Sequence, residues 1–380
     1  MGNAAYFDLN DPETVQKWER ELHVQVALRT PLMSKRYGFL GDSDTSLCQK
    51  RTKVWEDGGT QATVTLVREL QGDPTFGNQE LRGREEAPNT ATFKWQINQI
   101  RHATQVNGRI TKRRVTWDIW KNSLTSLGVW SSKVVESAAM LHLAGVPYNV
   151  STASEWYHKG NQLGNTFSNA PRTPDTKHIM RVGHGSDTDD TNTGNDPAAI
   201  IDLDVISELK ARAKNLPIPI RPAMIHGQEL YVLFIHSYAA RHLKSDTRWM
   251  AIMRAALQGG ATEDHPFWTG ALGIWDEVLI VEDNYVPPGL SSTNARVANA
   301  RRNIFCGAQA LVFGVAKEYD KQNLFINDEE SWDYANNKGV AATTLGGIAS
   351  PFYPIVEQGT TEDYAKIVCV SYAQELVTSA

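Results

Sequence analysis

Cysteine is scarce in this chain. Cys48, Cys306 and Cys369 are far apart and odd in number, so neither a disulfide framework nor a zinc-ligand spacing is present. They read as small buried thiols in a reducing compartment. Long apolar runs are missing too. No stretch approaches the roughly 18 residues of a membrane-spanning helix, so no membrane contact is expected. A basic excess is also absent: 38 Lys and Arg against 43 Asp and Glu give a net charge of −5. That balance argues against a protein whose main task is gripping phosphate backbones, although Lys112, Arg113 and Arg114 form one basic run. The opening MGNAAYFDLNDPE has no basic segment followed by an apolar one and reads as no secretory signal. Tyr6 stands where myristoylation needs Ser or Thr.

Motifs for chemistry are missing as well. Gly183 and Gly185 lie in a polar loop without the third glycine of a dinucleotide fingerprint. There is no phosphate-binding loop, no nucleophile elbow and no His-Glu-x-x-His. His226 with Glu229, and His236 with His242, are the nearest approaches to paired ligands, and the second pair is wrongly spaced for one helix face. Asp187, Asp189 and Asp190 suggest calcium, but Asn192 occupies the glycine position of the loop and no Glu closes it. A solvated acidic loop is the expectation. No catalytic, cofactor or metal residue is assigned, and the reading turns away from an enzyme, although catalytic groups often meet only in the fold.

What is present is a globular composition, 41% hydrophobic and 21% charged over 380 residues. That length suits two domains, or one with large extensions. Eleven tryptophans are many. Most read as core, but Trp55 and Trp95 lie in segments that look extended and exposed, where an interface role gains weight.

The chain is organised around Thr116–Ala144. Trp117, Trp120, Leu124, Leu127, Val134, Ala138 and Leu141 recur at helical spacing. Thr116 can cap the start, and Gly145 with Pro147 stops the end. At 1.5 Å per residue the helix is roughly 40 Å long. Asp118, Lys121, Asn122, Ser132 and Lys133 give it a polar face, so it reads as a beam with one side on a sheet. Gly128 interrupts it, costing about 1 kcal/mol there.

Before the beam, residues 1–50 read as an arm with a short helix opening at Asp11-Pro12-Glu13. Residues 60–70 and 92–101 read as strands; Phe93, Trp95 and Ile97 alternate with Lys94, Gln96 and Asn98. The Gly-, Pro- and charge-rich stretch between them is long for a loop in a compact domain. Two readings stay open: a hairpin leaving the body and needing a partner surface, or a disordered loop between core strands. After the beam, 147–200 is polar and loop-rich. Asp202–Asn215 is a second amphipathic helix with Leu203, Ile206, Leu209 and Ala213 on one face. Leu230–His236, Glu277–Val281 and Ile367–Tyr372 read as strands, 247–258 as a helix, and 317–340 as a polar stretch. Strands and helices together give an α/β or α+β body.

Four blocks in order then carry a resemblance. They are Leu81–Glu86 followed by Phe93–His102; Ile235-His236 with Leu243–Trp249; Pro266–Asp276 running on to Val281-Glu282; and Ala300–Ile304 with Gly307–Leu311. Together they resemble the major capsid proteins of tailed bacteriophages with the Hong Kong 97-type shell fold, and most of all a subfamily of short-tailed, N-four-like phages. The resemblance spans roughly residues 55–380. It implies an α+β fold with an N-terminal arm over 1–55 and an extended-loop hairpin over 56–106. A peripheral domain over 107–219 would hold the spine helix 116–144, an axial domain would cover 220–345, and 346–380 would return to the peripheral domain.

It also implies hexamers and pentamers in an icosahedral virion shell around double-stranded DNA, without sequence-specific binding. The partners implied are other copies of the chain, a separate scaffolding protein, a portal protein and a decoration protein, with assembly in the host cytoplasm. Trp55, Phe93, Trp95 and Ile97 are the candidate inter-subunit contacts. Gly128 is the candidate bend when shells expand. No motif for a lysine–asparagine weld is seen. Two other readings stand beside this one: a bacterial nanocompartment shell, and a soluble α/β enzyme with a lid hairpin.

Overall fold

The computed structural model describes residues 32, 38–51, 61–67, 72–86, 90–106, 119–147, 169–251, 272–315, 326–332, 336–355 and 360–375. The arm helix at Asp11–Arg20, the Thr116 cap, Trp117, the Trp120 side chain and most of the 247–258 helix lie outside them.

Helix α1 is Ile119–Ala144. It ends as expected. Gly145 takes φ +65°, and the Val146 N–H donates to the Leu141 carbonyl at 3.0 Å, a left-handed cap that suits glycine. Leu127, Val134, Ala138 and Leu141 are buried as the spacing requires. The polar face holds only in part. Asn122 and Lys133 are exposed, but Ser132 is buried, and every residue from Val134 to Val146 is buried. The last turns of α1 are therefore covered all round, because strands of two sheets pack against it.

The first sheet runs β1 (Leu40–Gly41), β2 (Cys48–Arg51), β13 (Leu311–Val315), β15 (Asn337–Ala349), β14 (Ile326–Trp332), with β5 (Asn98–Val106) also on β15. The long β15 pairs β13 at its Gly346–Ala349 end and β14 along Asn337–Thr343. β5 pairs it from Lys338 to Gly346. α1 packs on this sheet, where His102 stacks on Trp130 with ring centroids 4.5 Å apart. The stretch expected to be merely polar at 317–340 thus contains β14 and the start of β15.

The second sheet runs β6 (Ile179–Arg181), β18 (Lys366–Tyr372), β12 (Arg296–Cys306), β8 (Gln228–Ile235), β10 (Val278–Glu282), β9 (Gly273–Trp275). β11 (Pro288–Leu290) joins β12, and β7 (Ala223–Ile225) joins β8. β18 is buried along its whole length, and β8 from Leu230 to Ile235, which explains their unbroken apolar runs. Two short helices are α2 (Thr191–Asn195) and α4 (Ser237–Ser245). α3 (Leu203–Lys214) is capped by the Asp202 carboxylate, which accepts the Val205 N–H at 2.9 Å. It buries Leu203, Ile206, Leu209 and Ala213.

Two hairpins stand apart, β3 (Gln61–Val67) with β4 (Thr90–Gln96), and β16 (Phe352–Ile355) with β17 (Thr360–Asp363). The expected boundaries need correction. β14 and β15 pair in the first sheet beside α1, whereas 220–345 was expected to form one axial domain. The last strand, expected to return to the peripheral domain, pairs with β6 and β12 in the second sheet and also touches α1, where Lys366 Nζ donates to the His142 carbonyl at 3.0 Å.

Candidate assembly surfaces

The β3–β4 hairpin is rooted in the body by one face of β4. Ala91, Phe93 and Trp95 are buried while Thr90, Thr92, Lys94 and Gln96 are exposed. Phe93 meets Phe352 edge-on at 5.0 Å. Trp95 lies against two glycines: a Cβ on Gly314 would sit 1.8 Å from its Cη2, and one on Gly347 3.3 Å from its Cε3. Phe93 and Trp95, expected to touch a neighbouring subunit, are instead spent on their own chain. Alternation told that one face was covered, but not by whom. Ile97 is half-buried at the edge of the same core, and Trp55 lies outside the described residues.

Beyond the root, residues 72–86 are not the structureless loop their composition suggests. The Glu86 carboxylate accepts the Gly72 N–H at 2.6 Å and closes the segment. Arg84 donates to the Gln79 side chain at 2.7 Å, and its N–H to the Leu81 carbonyl at 3.0 Å. This ordered tip leaves apolar side chains uncovered. Phe76 is 72% exposed, Leu81 62%, and Val67 at the end of β3 67%. Single exposed apolar residues are ordinary, but three on one hairpin make it a candidate contact surface. The residue-by-residue reading missed them, although apolar residues within a charged, glycine-rich stretch were the available signal.

A second surface is a groove of about 520 Å³ on the first sheet, lined by Arg101, Ala103, Glu330, Trp332, Gly339 and Ala341. The small residues make its floor, and the Trp332 indole, 37% exposed, leans over Gly339.

The family described as phage capsid protein matches residues 6–375. The chain belongs to this family. The major capsid protein of Pseudomonas phage KPP25 is 28% identical over 345 residues, which is 87% of this chain and 88% of that relative. The capsid of Ralstonia phage GP4 superposes with a TM-score of 0.71 at 22% identity, over 98% of this chain and 99% of that one. The Cyanophage Pam1 capsid gives 0.67 at 15% identity, over 99% and 96%. The fold is the α+β capsid fold that the four sequence blocks implied, and the chain is a shell-forming component of a phage capsid.

Inside this capsid protein the charged groups are structural. Asp190, expected in a solvated loop, is fully buried. It accepts Arg181 Nε at 2.9 Å, Arg302 Nε at 2.7 Å and the Leu290 N–H at 2.8 Å, and so links the 182–190 loop to the second sheet. Asp189 accepts the N–H groups of Thr191 and Ser292, which hold its carboxyl below the ordinary range. Asp187 faces His184 at 3.5 Å. Among the described residues no cluster of three or more His, Cys, Asp or Glu is placed to hold a metal.

A different device sits where α1 meets the second sheet. Glu136 of α1 and Asp283, just past β10, are 0% and 4% exposed and lie close enough to perturb each other. Burial, reinforced by the charge of Asp283, pushes the Glu136 carboxyl well above its ordinary range, and burial pushes Asp283 up too. Two buried carboxyls side by side ionise together only at high cost, so the pair holds a proton above the ordinary carboxylate range. The helix and the second sheet thus meet at one buried pair of carboxyls.

Proposed function

We propose that this chain forms hexamers and pentamers that close into an icosahedral shell around double-stranded DNA. The observation that carries this reading is the β3–β4 hairpin, whose root is locked by Trp95 and whose ordered tip leaves Phe76 and Leu81 without cover. A two-stranded ribbon gains little stability alone, and a second copy supplies the missing surface. In this reading the first sheet with α1 is the peripheral domain, and the second sheet with α3 and α4 is the axial domain around ring centres. Of the 1–55 segment expected to lie along neighbouring copies, β1 and β2 instead pair within the chain's own first sheet. Heterologous contacts of this kind close into rings, and many modest contacts sum through multivalency.

The net charge of −5 suits a container that does not hold its packed genome to the wall. A scaffolding protein, a portal protein and a decoration protein are the further partners, and assembly takes place in the host cytoplasm before the protein becomes part of the virion. The role so read is structural, with no catalytic step.

The test is Phe76→Ser together with Leu81→Ser, followed by electron microscopy of the product. The reading requires folded subunits that no longer build shells. Normal shells from this variant would contradict it. Enclosed DNA, rather than an enzyme cargo, separates a virion shell from a nanocompartment.

A further inference from the structure

A cavity of about 200 Å³ lies where the hairpin root, the end of α1, the β15–β16 junction and the start of β18 meet. Its wall carries Lys94, Arg172 and Lys366, with His142, Asn169 and Ser350 among the rest, and no carboxylate. Three cations line the wall, and the Asp363 carboxylate that faces Lys366 at 3.6 Å is not among the lining residues.

Their hydrogen-bonding capacity is only partly used. Lys366 is 1% exposed. Its Nζ donates to the His142 carbonyl at 3.0 Å, while Asp363 Oδ1 stays 3.6 Å away, beyond good hydrogen-bond length. Arg172 gives Nη2 to the Thr361 carbonyl at 3.0 Å and lays its guanidinium over the Phe352 ring at 4.9 Å. Its Nη1 is buried with no acceptor. Buried donors on charged groups are nearly always paired, because an unpaired one forfeits its hydration. Asn169 and Ser350 are already bonded to the backbone at Gln96 and Ala310, so the cations dominate recognition.

We propose that this cavity binds a small oxyanion, phosphate or carboxylate, between Arg172, Lys366 and Lys94. An arginine fork presents two parallel donors to such a group, and a lysine adds a point charge. With each water occupying about 30 Å³ of liquid volume, the space takes one oxyanion with a few waters. Lys94 rides on the hairpin and Lys366 on the second sheet, so the bound anion ties the hairpin root to the body. The source is either a free anion or an acidic side chain of a second copy.

The experiment is a thermal-unfolding titration of the unassembled full-length protein with sodium phosphate against sodium chloride at matched ionic strength, repeated on assembled shells. Phosphate should raise the midpoint of the unassembled protein saturably, and chloride should not. Arg172→Gln should abolish the response. Lys94→Gln, at an exposed position, should weaken it several-fold. A response in unassembled protein that disappears in shells identifies a neighbour's carboxylate as the occupant. A response in both identifies the free anion. Equal effects of phosphate and chloride on unassembled wild type, or variants that respond as wild type does, overturn the proposal. The unassembled arm reads the site whether or not the shell reading holds.

Discussion

The contact of Trp95 with Gly314 is the sharpest test of how the hairpin is held. A methyl at Gly314 would lie 1.8 Å from Trp95 Cη2, whereas carbon atoms settle at about 3.5–4.0 Å. The indole would have to move by roughly 2 Å, the difference between those distances, in a core packed as densely as an organic crystal. Trp95 is 1% exposed and also lies on Gly347, so there is no free volume to move into. Overpacking of this kind costs about 1–3 kcal/mol, and Gly314→Ala belongs at the upper end. Trp95→Ala removes the indole and should cost about 3–5 kcal/mol. The two changes should not add. With the indole gone, the Gly314 methyl fills part of the hole, so the double variant should recover at least about 1 kcal/mol of the sum. Urea denaturation of the unassembled protein measures the cycle, and limited proteolysis within residues 72–86 reports the hairpin. An unchanged midpoint and cleavage rate in Gly314→Ala, or strict additivity, would refute the keyed contact.

Three further outcomes follow from the same structure. Phe76→Ser and Leu81→Ser should each change subunit stability by no more than about 0.5 kcal/mol, while shell yield in sedimentation falls sharply. The Glu136–Asp283 pair sets a pH slope. Its carboxyls keep a proton in the folded state at pH values where the unfolded chain, with carboxylates near about 4, has lost it. Stability from this pair is therefore full below about pH 4 and declines as pH rises through the raised folded value. Thermal midpoints against pH should show that decline in wild type, and Glu136→Gln, which cannot ionise, should flatten it. In α1, Ser131 and Ser132 donate back to the Leu127 and Gly128 carbonyls at 2.9 and 2.7 Å, a pattern that bends helices. Gly128→Ala should leave the first-formed shell intact and slow its expansion, as followed by electron microscopy; unchanged expansion would remove Gly128 as the bend.

Much of the frame was legible because periodicity is a local signal. α1 and α3 announce themselves at helical spacing, β8 and β18 as unbroken apolar runs, and β4 by strict alternation. What failed depends on partners distant in sequence. β14 reads INDEESW, and its partner β15 is built of Gly, Ala and Thr, so neither shows the apolar pattern of a covered strand. β12 carries Arg301, Arg302 and Asn303 into the interior, which sequence patterning reads as surface. They are tolerated because Glu375, Asp190 and Ser371 receive them. The same limit misassigned Phe93 and Trp95: their covering surface comes from Gly314, Gly347 and Phe352, far along the chain. The carboxyl pair Glu136–Asp283 and the Lys94–Arg172–Lys366 cavity are likewise products of the fold, with no motif to mark them.

The most direct measurement is cryo-electron microscopy of particles assembled from the recombinant protein, with a scaffolding partner present. The account predicts closed shells of five-fold and six-fold rings, with density for residues 72–86 lying on an adjacent subunit and Trp95 buried in its own. A uniform monomer or dimer with scaffold present, or shells in which the 72–86 tip folds back on its own chain, would contradict it.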